Sequence, residues 1–123
     1  RGLTRIEHWT NAGDQAAYVA EAIAGQAPQA PFTSDGYVWS DQYDWHIQLA
    51  GRSAASGTQT ILVGDPAEHA AVLYADSAGG VTGVLAVNWP RALMGVRRAL
   101  RGKASMPLDE ALAIVEKARP KRA

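Results

Sequence analysis

The order of hydrophobic periodicities along this 123-residue chain predicts an α+β fold: an N-terminal helix, an antiparallel sheet of about five strands, and two C-terminal helices. Three observations carry that expectation. Between about Glu7 and Ala24 apolar side chains recur at helical spacing. From Tyr37 to Val87 the period becomes two, broken by turn clusters, and from Pro90 onward the helical period returns. Strands grouped before helices argue against alternating βαβ units and for short antiparallel connections.

In the first helix Ala12, Ala16, Val19, Ala20 and Ile23 form the apolar stripe, and Ala16, Ala17 and Ala20 supply propensity. Thr10 or Asn11 is the expected cap, Asp14 suits the first turn, and Gly25 suits the position just past the end. The stretch Gln26-Ala-Pro-Gln-Ala-Pro31 cannot continue the helix and marks a boundary between layers. Tyr37–Ser40 and Tyr43–Leu49 read as strands, the second with Tyr43, Trp45, Ile47 and Leu49 on one face. Its other face, Asp44, His46 and Gln48, reads as solvated. Thr58–Val63, Ala70–Tyr74 and Val81–Val87 complete a meander, with Asp76–Gly80 as a hairpin turn. The last two helices are Pro90–Arg101, capped by Asn88 and stopped by Gly102, and Pro107 to about Ala118. Leu108, Ala111, Leu112, Val115 and Ala118 give the latter its buried stripe. Trp45 and Trp89 are expected in the core.

Composition narrows the chemistry. The chain is 47% hydrophobic and 20% charged, an ordinary globular balance for one domain. With no Cys, disulfides, thiolate metal sites and cysteine nucleophiles are excluded. No apolar run is long enough for a membrane helix, so no membrane association and a cytoplasmic location are expected. Arg1-Gly2-Leu3-Thr4-Arg5 reads as a cut end within a longer protein rather than a signal peptide. Net charge is zero but segregated: through Pro90 there are three basic residues (Arg1, Arg5, Arg52) against nine acidic ones. From Arg91 the ratio is reversed, nine basic against three acidic (Asp109, Glu110, Glu116). The acidic part argues against a nucleic-acid partner, and the tail lacks the interleaved aromatics such a binder needs. The two halves either compensate one another in the fold or leave a basic surface for one negative partner.

No self-contained catalytic machinery is present. The glycines never occur at i and i+2, so there is no dinucleotide fingerprint, and neither a P-loop nor a nucleophile elbow exists. His8, His46 and His69 lack metal-ligand spacing.

Two stretches stand apart: Glu7-His8-Trp9-Thr10-Asn11-Ala12 with Gln15 a turn later, and Trp39-Ser40-Asp41-Gln42-Tyr43 followed by Ile47-Gln48-Leu49-Ala50-Gly51. Together, at this distance and around a Pro-containing gap, they resemble the C-terminal domain of FAD-dependent ferredoxin reductases. These are the oxygenase-coupled members of the pyridine nucleotide–disulfide oxidoreductase superfamily. The resemblance covers essentially the whole chain.

It implies that residues 1–26 are the last helix of an FAD domain with the start of a linker, and residues 27–123 the reductase C-terminal domain. FAD and NAD(P)H domains would lie upstream, so the isolated chain is expected to hold no cofactor and to be inactive alone. It also implies that Trp9 and His8 border the flavin, at a helix start whose free N–H groups favour negative charge. Trp39 matches the tryptophan that approaches the ring system from this domain. The alternatives are that Trp9 packs its helix onto the sheet and that Trp39 is a core aromatic. For Arg91, Arg98 and Arg101 the resemblance suggests docking of an acidic ferredoxin-type iron–sulfur protein. Their alternative is pairing with the acidic first ninety residues. A function of another class also stands: a stand-alone interaction module of the same fold, binding a protein partner or itself through its exposed face.

Overall fold

The computed structural model describes residues 5–26, 30–53 and 59–121. The expected strand start at Thr58 and Pro28 of the connector lie outside these. The elements run α1 (Trp9–Ile23), β1 (Val38–Gln42), β2 (Trp45–Gly51), β3 (Gln59–Asp65), β4 (His69–Ala75), β5 (Gly80–Val87), α2 (Pro90–Leu100), β6 (Met106–Pro107) and α3 (Leu108–Lys117). The α+β expectation holds, with β6 a two-residue addition that pairs with the start of β5.

Every ladder is antiparallel, but the sheet is not the simple meander expected. Its order is β1-β2-β5-β4-β3. The chain leaves β2, crosses to the far edge, and returns through β4 and β5, so that β5 closes against β2. The hairpin-connected strands β3, β4 and β5, with the preceding β2 lying beside the last of them, make a Greek key. The reason lies in burial: β5 reads Gly-Val-Thr-Gly-Val-Leu-Ala-Val and is apolar on both faces, which suits a central strand better than an edge.

One face of the sheet carries Ala50, Ala71, Leu73, Val84 and Ala86, and on it lie α2 (Ala92, Leu93, Val96, Leu100) and α3 (Ala111, Val115). Small residues on the strands let the helices approach closely. Gly95 does the same between helices: a methyl there would meet Ile114 Cγ2 at 2.7 Å. Trp89 joins the layers, buried between His69 and the end of α3, with its indole N–H donating to the Ala118 carbonyl at 3.1 Å. At that end Arg119 donates to both carboxylate oxygens of Glu116, at 2.6 and 2.9 Å. These bonds hold the Glu116 carboxyl below its ordinary value. Their small stabilising effect is present at neutral pH and fades as pH falls through that lowered value.

Several local expectations need correcting. Trp45 is exposed, not in the core, because Ile47 and Leu49 share with it the face that no helix covers. The supposedly solvated face of β2 is the one under α2: Gln48 is 5% exposed, with Trp39 and Ala86 as its neighbours across the ladders. Asn88 does not cap α2. Its carboxamide oxygen accepts from the His46 N–H (2.8 Å) and its amide donates to the Asp44 carbonyl (3.2 Å), tying the end of β5 to the β1–β2 hairpin. Neither Thr10 nor Asn11 caps α1, and Asp14 falls beyond its first turn. At the other end Gly25 serves as expected. With φ +84 it lets the Gly25 and Gln26 N–H groups reach the Ala22 and Glu21 carbonyls, a complete Schellman closure.

Tyr43 and Asp44 form the turn between β1 and β2. Tyr43 is fully exposed with φ +58, a conformation that costs a β-carbon residue about 1 kcal/mol. Asparagine tolerates that region, so Tyr43→Asn is expected to raise stability by about 0.5–1 kcal/mol. A urea midpoint that stays put or falls would show that the phenol ring makes a stabilising contact.

Candidate functional site

The first three N–H groups of any α-helix have no intrahelical acceptor. In α1 the N-terminal cap residue is His8, and no side chain caps the turn. The two polar side chains positioned to do so are spent elsewhere. The Thr10 hydroxyl donates to the Tyr37 carbonyl (2.5 Å), tying the helix start to the residue before β1, and the Asn11 amide donates to the Ile6 carbonyl (2.8 Å). The 15-residue helix therefore presents open donors and the positive end of its dipole. Beside them Ile6, Glu7, His8, Trp9, Asn11, Ala12 and Gln15 line an open depression of about 550 Å³. Asn11 is 4% exposed, yet its carboxamide oxygen has no donor. A buried acceptor left open costs about 1–3 kcal/mol, and the Gln48 carbonyl oxygen shares that condition.

An aromatic cluster borders this start. Trp9, 80% exposed, lies 6.1 Å from Trp39, which is 39% exposed. Trp39 in turn stacks on Tyr37 at 5.9 Å. Behind them the Arg97 guanidinium sits 4.1 Å above the Tyr37 ring and pairs with Asp35 at 2.7 Å. The Tyr37 hydroxyl accepts from Gln48, whose own carbonyl oxygen has no partner. Two structural elements thus bring Trp9 and Trp39 together, with His8 half-buried next to Trp9. Trp9 meets the sheet at Trp39 while staying largely exposed, and Trp39 lies outside the buried core.

Alternation accounts for the supporting residues that sequence reading missed. Tyr37 and Trp39 stand two apart before and within a strand, hence on one side. Arg97 and Asp35, by contrast, meet only through the packing of α2. Near the same edge the His46 Nδ1 contacts Asp41 Oδ1 at 2.5 Å.

The basic residues lie apart from this cluster. Arg91, Met94, Arg98 and Arg101 follow at i, i+3, i+7 and i+10, and all four are exposed. Among the described residues no carboxylate lies within ion-pair distance of these arginines, and Arg97–Asp35 is the one pair linking the basic and acidic parts. Also among them, no group of side chains could hold a metal ion and no helix is long and apolar enough to cross a membrane.

The architecture defines a class: an α+β domain with helices on one face of an antiparallel sheet and no nucleotide fingerprint of its own. Residues 37–117 match the family described as Reductase C-terminal, and the chain belongs to that family. It is 31% identical over 104 residues to the 3-phenylpropionate/cinnamic acid dioxygenase ferredoxin–NAD(+) reductase component of Photorhabdus laumondii, covering 85% of this chain and 25% of that protein. A ferredoxin reductase structure from Rhodopseudomonas palustris superposes with a TM-score of 0.73 at 26% identity, over 95% of this chain and 29% of that one. A covalent putidaredoxin reductase–putidaredoxin complex gives 0.67 at 28% identity, over 92% and 29%. The chain therefore matches the C-terminal part of ferredoxin reductases and spans about a quarter of the length of the curated relatives it matches.

Proposed function

We propose that the chain is the C-terminal part of an FAD-dependent NAD(P)H:ferredoxin oxidoreductase, where it borders the flavin and helps to dock the iron–sulfur partner. In this reading residues 1–26 belong to the FAD domain and residues 27–123 to the C-terminal domain. The observation that carries it is the uncapped start of α1 beside the solvent-facing Trp9–Trp39 pair. Open N–H groups and a dipole's positive end suit a ring system with a C=O edge on which negative charge can gather. When bound, a flavin supplies the conversion between two-electron chemistry with a nicotinamide and one-electron chemistry with an iron–sulfur centre.

This chain's own contribution is electrostatic and steric. The Trp9 N–H would face the edge where negative charge gathers, with His8 and the Trp9 indole along the border. Trp39 keeps water from the side towards the redox partner. The exposed stripe Ala16, Val19, Ala20 and Ile23 of α1 is consistent with a helix that packs against another domain of the same enzyme.

The test is Trp39→Ala in the complete reductase, followed by stopped-flow on both half-reactions. Flavin reoxidation by ferredoxin is expected to slow at least about tenfold more than flavin reduction by NAD(P)H. Equal losses in both, or none, would return Trp39 to a purely structural role.

A further inference from the structure

We propose that Arg97 is a positioning residue for Trp39, a role that rests on the assignment of Trp39 to the flavin border. Acting through the Tyr37 ring, Arg97 sets the angle of the indole, and with it the rate at which electrons cross to the redox partner. Trp39 lies at the rim of the fold and two rings hold it. Trp9, at 6.1 Å, is itself 80% exposed, so the firm side is Tyr37, stacked on Trp39 at 5.9 Å with 30° between the planes.

Tyr37 is fixed at four points. Its N–H donates to Asp35 Oδ1 (3.3 Å), its carbonyl accepts from the Thr10 hydroxyl (2.5 Å) and its hydroxyl accepts from Gln48 (3.0 Å). The fourth is the Arg97 guanidinium, 4.1 Å from the ring centroid. The backbone bonds fix where the residue sits but not how its ring is turned. The hydroxyl lies on the axis about which the ring rotates, so the Gln48 bond leaves χ2 free. A planar cation seated over the ring face does not. Asp35 clamps both ends of this arrangement, with Oδ1 on the Tyr37 backbone and Oδ2 on the Arg97 Nε–H at 2.7 Å.

Stability does not account for the clamp. Trp39 lies outside the core, and the Arg97–Asp35 pair is partly exposed, where ion pairs add little. What the clamp supplies is one orientation of a rim aromatic. One electron passing from a reduced flavin to an oxidised iron–sulfur centre has farther to go across a gap left by a turned indole. Misplacement of about 1 Å can cost a reaction about 100-fold.

Arg97→Gln and, separately, Asp35→Asn test this; both replacements are polar and close in size, at half-buried positions. In the 123-residue chain, Trp9 and Trp39, 6.1 Å apart with 53° between their planes, should give an exciton couplet in far-ultraviolet circular dichroism, which Trp9→Phe identifies by removing it. Each variant is expected to lose most of that couplet, and the double variant little more, because the two residues act as a unit. In the complete reductase the limiting rate of flavin reoxidation at saturating ferredoxin is expected to fall about three- to tenfold, with the half-saturating ferredoxin concentration and the salt slope unchanged. That split separates positioning from docking through Arg98 and Arg101, which acts on association. No couplet from the pair in the unsubstituted chain, or one untouched by both variants, overturns the proposal whatever Trp39→Ala does. So does an unchanged limiting rate in a reductase that Trp39→Ala slows. If Trp39→Ala itself leaves the ferredoxin half-reaction unaltered, the flavin-border reading falls and the rate effect with it, while a lost couplet still upholds the hold of Arg97 on Trp39.

Discussion

Gly51→Ala is expected to remove about 3 kcal/mol or more of folding stability, from a single added methyl. Gly51 ends β2 with φ +78, where any β-carbon is strained. The added methyl would also lie far inside contact distance of the Thr82 carbonyl oxygen and 2.8 Å from the Gly83 Cα. Those atoms are backbone and cannot swing aside. The same crowding recurs at Gly36, where a methyl would meet the Gly51 carbonyl at 2.6 Å, and at Gly83, which faces the Arg52 backbone. Three segments are thus interlocked, and bonds from the Gly51 N–H to the Asp35 carbonyl (2.6 Å) and from the Arg52 N–H to the Thr82 carbonyl (2.9 Å) hold them. Gly79→Ala is the control: its φ is +84 but nothing lies within 4 Å of the added methyl. It should cost only the backbone term, about 1 kcal/mol. Urea denaturation of both variants gives the difference, and equal losses would mean the interlock yields without cost.

The second large effect concerns the basic stripe of α2. In the complete reductase, Arg98→Glu/Arg101→Glu is expected to slow association with an acidic ferredoxin about 10- to 100-fold at low ionic strength. It should also flatten the dependence of electron transfer on salt, because screening acts on the charges that steer the encounter. Stability should stay within about 0.5 kcal/mol, since these exposed arginines have no ion pair to lose among the described residues. The opposite pattern, lost stability with an unchanged salt slope, would assign the arginines to intramolecular compensation. Arg97 must be left alone in this test. It holds Asp35 and lies on Tyr37, so its removal would disturb the aromatic cluster rather than the exposed basic stripe.

Local order was legible in the sequence wherever a residue's role depends on its neighbours in the chain. The periods of α1, α2 and α3, the Gly25 and Gly102 stops and the Asp76–Gly80 turn all follow from short-range chemistry, and the strands fall where alternation put them. Partnership between strands was not legible, because a meander and a Greek key share every local signal. The apolar residues on both faces of β5 fit a central strand, but they do not say which strands flank it. For the same reason the polar side of β2 looked solvated: Gln48 is buried because α2 and Tyr37 cover it. At the candidate site, the juxtaposition of Trp9 with Trp39 bridges the Pro-containing connector. Family resemblance suggested it, whereas periodicity alone was silent. The caps failed more simply, since Thr10, Asn11 and Asn88 each found a tertiary acceptor or donor that competed with the helix.

The placement of β2 beside β5 also dictates the order in which a growing chain can assemble. The β1–β2, β3–β4 and β4–β5 hairpins close locally, while the β2–β5 ladder joins Leu49 to Leu85 and must meet the entropy of a long loop first. During synthesis the β1–β2 hairpin leaves the ribosome well before its neighbour exists, with the outer edge of β2 bare and its Gln48–Ala50 face open to water. Until β5 arrives that hairpin is a surface for chaperones or for misassociation, and its protection is completed only when α2 follows and seals that face.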